Sequence, residues 1–145
     1  MKNTIFVLRG RARIGKTTTI KKVRELLLQK SGVKEYKVEF EILNRVDIRV
    51  VLDINGVLVG IETQGDPSSR LEESIELFIK AKCKIIVCAS RTSGMTVDWI
   101  NKYSKAFNIE WIEKKNAEND SERENLNNKK AEEIVEKIFC LLELK

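Results

Sequence analysis

The sequence predicts an α/β domain of three layers, built on a mixed, mostly parallel sheet of about six strands. Three observations lead there. The apolar run Thr4–Leu8 has the look of a buried strand, and beyond a turn the stretch from Thr18 to Lys30 repeats apolar residues at helical spacing. Between 36 and 54 the pattern becomes strict alternation, through Tyr36, Val38, Phe40 and Ile42 and again through Ile48, Val50, Leu52 and Ile54. That is the period of strands with one wet face, so this stretch should form an antiparallel edge. Short apolar runs then recur at 57–62, 85–89 and 109–112, expected to lie parallel to 4–8.

The elements follow in order. Gly32 is suited to end the first helix, because it tolerates the left-handed conformation common at helix ends. A turn at Asn44-Arg45 separates the two alternating stretches, and Asn55-Gly56 is a strong hairpin signal that delivers the chain into the strand 57–62. Ser69–Lys82 reads as a helix with Leu71, Ile75, Phe78 and Ile79 on one side. Thr96 is expected to cap another helix, whose Val97, Ile100, Tyr103 and Phe107 face inward. From Glu113 to Lys130 the chain is almost entirely polar. It reads as a mobile excursion, a lid, or the solvated start of a helix with Ser121 and Glu124 as a capping box. Ala131, Ile134, Val135, Ile138, Leu141 and Leu142 form a closing amphipathic helix.

With 145 residues, 1–145 is expected as a single domain that buries about two-thirds of its unfolded surface. No apolar run approaches a membrane span, and a cytoplasmic location with no membrane partner is the expectation. The chain contains no histidine, and Cys83, Cys88 and Cys140 form no C-x-x-C pair. Structural zinc, a disulfide framework and a histidine-assisted nucleophile are therefore disfavoured, and packing accounts for Cys88 and Cys140. The net charge of +5 is concentrated: residues 1–24 hold eight bases and no acid, leaving 19 bases against 22 acids elsewhere. A bound polyphosphate explains much of that patch. A nucleic-acid partner is weakly supported, since aromatic residues are not interleaved with the bases.

The basic patch surrounds Gly10-Arg11-Ala12-Arg13-Ile14-Gly15-Lys16-Thr17, a complete G-x-x-x-x-G-K-T between a strand and a helix. The glycines let backbone N–H groups surround a polyphosphate at the positive end of the helix. Lys16 would reach the β- and γ-phosphates, the Thr17 hydroxyl would ligate Mg²⁺, and Thr18 extends the binding segment. On these residues the chain resembles the P-loop NTPase superfamily, through its shared core and without identifying a subfamily.

The resemblance extends to Glu62-Thr63-Gln64-Gly65-Asp66. An acid ending an apolar strand downstream of the loop is where the superfamily carries its second magnesium-organising element, so Glu62 is either that ligand or a plain strand-end acid. Spacing E-x-x-G is similar to D-x-x-G of the GTPase branch, which gives Gly65 the γ-phosphate contact. Asp66 then stands where that branch positions the attacking water; Asp66-Pro67 equally suits a helix start. Arg91, in the loop Ser90–Gly94, either touches phosphate or is a solvated arginine. Arg13 replaces a glycine common among relatives, and either points into solvent or leans over the γ-phosphate as a cis arginine finger. Neither 90–93 nor 114–117 reproduces the guanine-reading N-K-x-D, so ATP is preferred to GTP by exclusion. The resemblance implies Mg²⁺-dependent NTP hydrolysis, a small-molecule or nucleotide kinase, or a nucleotide-dependent switch for a protein partner. The oligomeric state stays open.

Overall fold

A computed structural model describes residues 2–143. The chain runs β1 (Thr4–Arg9), α1 (Lys16–Leu28), β2 (Val33–Tyr36), β3 (Ile42–Leu43), β4 (Ile48–Ile54), β5 (Val57–Glu62), α2 (Leu71–Lys80), β6 (Ile85–Ser90), α3 (Met95–Asn101), β7 (Asn108–Glu113) and α4 (Asp120–Glu143). These form an open, mixed sheet of seven strands in the order β2-β4-β5-β6-β1-β7, with β3 paired to β4. The strands β5, β6, β1 and β7 run parallel, while β2, β3 and β5 each pair antiparallel with β4.

Alternation along the strands divides the core. Phe6, Leu8, Val59, Ile61 and Val87 pack with Ile20 and Val23 of α1 and Ile134 and Ile138 of α4 on one face. Ile5, Val7, Ile86 and Cys88 pack with Leu71, Ile75 and Phe78 of α2 and Ile100 of α3 on the other. Burial raises the thiol pKa of both Cys83 (to about 12) and Cys88, whereas Cys140 is exposed, contrary to its expected place on the apolar side of α4.

The edge departs from the expected continuous strand over 36–42. After β2 the chain turns, with Glu41 N–H donating to the Val38 carbonyl at 3.2 Å, and re-enters the sheet only at β3. Side-chain packing breaks the ladder. The Phe40 ring stands 5.9 Å from that of Phe78, and the Arg49 guanidinium lies over it while donating to the Phe40 carbonyl at 2.9 Å. A seventh strand results. At 55–56 both residues have positive φ, 50° and 92°, as a tight primed hairpin requires.

Helix ends differ too. Residues 67–70 form a turn outside α2, so Asp66 does not cap that helix. Nor does Thr96 cap α3: it lies inside that helix, Gly94 is the N-cap, and the Thr96 hydroxyl accepts a bond from Arg91 N–H at 3.1 Å. Since α3 ends at Asn101, Tyr103 and Phe107 lie in the turns beyond it. The polar stretch is largely helical from Asp120, because Asn119 Oδ1 caps Glu122 N–H at 2.9 Å and accepts from Ser121 Oγ at 2.7 Å. That arrangement uses Ser121 against Asn119 and leaves the Ser121/Glu124 capping box unformed.

Phe78 is fully buried, and its ring lies over Gly60, where a β-carbon would come within 2.5 Å of it. Phe78→Ala is expected to lower the unfolding free energy by about 3–5 kcal/mol, read from urea denaturation; a loss below about 1 kcal/mol would contradict this packing.

Candidate functional site

The loop between β1 and α1 is shaped by two left-handed residues, Arg13 at φ 61° and Gly15 at φ 95°. Arginine in that conformation is strained by about 1–2 kcal/mol, the physical reason glycine suits the position. Ile14 is the buried peg between them and fills the space a side chain at Gly10 would need. Gly10 N–H donates to the Ser90 carbonyl at 3.1 Å, tying the loop to the end of β6. Thr19 closes the first helical turn, its hydroxyl donating to the Gly15 carbonyl at 2.7 Å.

Lys16 lies beneath this loop, only 8% exposed. Its ammonium donates to the Ser90 carbonyl at 2.9 Å and to the Gly10 carbonyl, bridging the carboxyl ends of β6 and β1. Burial lowers its pKa to about 8; the Asp66 carboxylate opposes that shift and the Arg91 guanidinium adds to it. Among the described residues no carboxylate is bonded to this cation.

Above it opens a cavity of about 950 Å³. Ala12, Arg13, Gly15, Lys16, Thr17 and Thr18 form its floor. Gly65, Asp66 and Arg91 stand on the adjoining wall. The backbone at Gly65 passes against the Ala89 carbonyl so closely that no β-carbon fits. Asp66 accepts a bond from Arg91 at 2.9 Å, an ion pair open to solvent and weak for that reason. Arg11 is exposed, and neither Arg11, Gly10 nor Ile14 lines the cavity.

Glu62 corrects the reading that gave it a metal or catalytic role at this cavity. It is fully buried and turned to the opposite face of the sheet. Its Oε1 accepts from Arg70 Nε at 2.8 Å and from Ser74 Oγ at 2.5 Å, while Oε2 accepts from Gln64 N–H at 2.9 Å. The cause is the two-residue period of β5: Val59 and Ile61 face α1, so Gly60 and Glu62 face α2.

Further residues to which the motifs gave no role also line the cavity. Asp47 accepts from the Thr63 hydroxyl at 2.9 Å and from Gln64 Nε2 at 3.2 Å, which fixes its carboxylate at the wall. From α4 come Arg123 and Asn127, the latter 4% exposed. Gln64 lines it as well. No local sequence signal marks them, because the wall depends on the hairpin register and on α4 beginning at Asp120.

Among the described residues no cluster of three or more histidine, cysteine or acidic side chains forms a metal cage, and no helix is long and apolar enough to cross a membrane. Compared with protein-family models, curated proteins and solved structures, the chain finds no significant match.

The buried Glu62–Arg70 pair yields a test of its structural role. Arg70→Met is expected to cost about 3 kcal/mol or more in urea denaturation, and Glu62→Leu added to it should restore most of that loss. Unchanged stability in Arg70→Met would mean that Glu62 is not held as described.

Proposed function

We propose that this chain is a P-loop NTPase that binds a magnesium-complexed nucleoside triphosphate, ATP by exclusion, and hydrolyses its terminal phosphate. The observation that carries the reading is the buried, carboxylate-free Lys16 ammonium beneath a loop with two left-handed residues, opening on a cavity that also holds Arg13, Arg91 and Arg123. Cations and helix N–H groups converging on one space favour a polyanion.

Magnesium fits the donors present. Such an ion needs only one or two carboxylates beside the substrate's phosphates. The Thr17 hydroxyl and the Asp47 carboxylate are the groups of this chain that would hold it, and its contribution would be to neutralise charge on the phosphate oxygens. Lys16 would clamp the phosphate chain. Arg91 would exchange Asp66 for phosphate, and that exchange would free Asp66 to orient the attacking water. The Gly65 N–H would meet the terminal phosphate.

A second reading, phosphoryl transfer to a small acceptor, is favoured by one feature. The cavity continues past the loop to a wall of Val46, Ser68 and Ser69, where an acceptor hydroxyl has room. Steady release of inorganic phosphate from Mg·ATP with no acceptor is the expected result of a phosphate assay. Transfer seen only with an acceptor would replace hydrolysis by the kinase reading; nucleotide bound with neither product would contradict both.

The lowered pKa of Lys16 sets a pH dependence. Its charged form holds the anion and is depleted in the free protein above about pH 8. Triphosphate affinity, followed by calorimetry, should hold between pH 6.5 and 7.5 and then fall by up to about tenfold per unit above pH 8. Constant affinity from pH 7 to 9.5 would contradict a phosphate contact by this ammonium.

A further inference from the structure

We propose that Asn127 and Arg123, on the first turns of α4, form the nucleoside side of the cavity, and that Asn127 hydrogen-bonds a ribose hydroxyl. This rests on the nucleotide reading and adds to it a sugar preference.

Three observations lead to α4. Asn127 is 4% exposed, yet its Oδ1 is buried with no hydrogen-bond partner, a costly arrangement for a native side chain. Its carboxamide stands directly against the loop, so close to Gly15 that a β-carbon there would lie 2.6 Å from Oδ1. Finally, Thr18, Arg123 and Asn127 line both the main cavity and a second one of about 690 Å³ between α1 and α4, making the two spaces neighbours across those side chains.

Chemistry selects the ligand group. The unpartnered atom is an acceptor. Phosphate oxygens at neutral pH are acceptors as well and would leave it unpaired. A sugar hydroxyl donates, so it satisfies the Oδ1 acceptor where a phosphate oxygen does not. Position agrees with this. With the terminal phosphates at Lys16, the ligand's other end leaves the loop past Thr18, where Arg123 adds a cation whose ion-pair partner Asp120 is 3.7 Å away and almost fully exposed. The polar start of α4 is then a wall of the site, distinct from a free-standing solvated turn.

Calorimetry with Mg²⁺ and three probes tests the proposal: inorganic triphosphate, ATP and 2′,3′-dideoxy-ATP, on the wild type and on folded Asn127→Ala and Asn127→Leu. The wild type should bind ATP roughly three- to tenfold more tightly than the dideoxy analogue, the range expected of one hydrogen bond. Both variants should bind the two nucleotides alike and inorganic triphosphate as the wild type does. Equal wild-type affinity for ATP and the analogue overturns the proposal without any variant, as does a preference that survives in the variants. Uptake of triphosphate alongside either result keeps the phosphate-loop reading intact, whereas uptake of no probe overturns both.

Discussion

The buried ammonium of Lys16 is the interaction on which the arrangement around it depends. By donating to the carbonyls of Gly10 and Ser90 it joins the carboxyl ends of β1 and β6, and with them the loop and the first turn of α1. An amine in so dry a place loses hydration, which the lowered pKa reflects. Two carbonyl partners recover part of that loss, and an incoming anion would recover more. Much of the local geometry serves this placement: Ile14 pegs the loop, Gly10 makes room for the peg, and Thr19 locks the turn that follows.

Parallel strand order brings the remaining groups to the same rim. The ends of β1, β5 and β6 open toward one side of the sheet, the location where open α/β sheets hold ligands. The hairpin of β4 and β5 adds Asp47, fastened by Thr63 and Gln64, and α4 closes the far side with Arg123 and Asn127. A second ion pair, Glu62 with Arg70, lies beneath the rim and acts on the fold instead. It ties the end of β5 to α2 on the face away from α1, with Ser74 adding a second bond to the same oxygen and the Gln64 N–H one to the other. With bonds on both oxygens and no exposure, this carboxylate is held within the fold.

How much of this was legible in the sequence depended on whether the information was local. The four parallel strands announced themselves as apolar runs, and Gly10–Thr17 marked the loop between β1 and α1. Face assignment was harder. Glu62 looked like a site acid from its motif, but one step of the two-residue period turns it to α2, and only the pairing register settles which step applies. The alternation over 36–42 suggested one strand, yet a ring-on-ring contact between Phe40 and Phe78, distant in sequence, pulls the chain out of the sheet. For α4 the polar composition left a helix start as one of three readings, and that start depends on Asn119, two residues before the Ser121 that was read as its cap. Asn127 was invisible for the same reason, since nothing near it in sequence says that it meets Gly15.

The central claim is that the cation beneath the loop holds a nucleoside triphosphate. A calorimetric titration of Mg·ATP into the wild type and into Lys16→Met, each shown to be folded, tests it most directly. The account predicts saturable one-to-one uptake by the wild type and none detectable in the variant. Absence of uptake by the folded wild type, or equal uptake by both proteins, would contradict it.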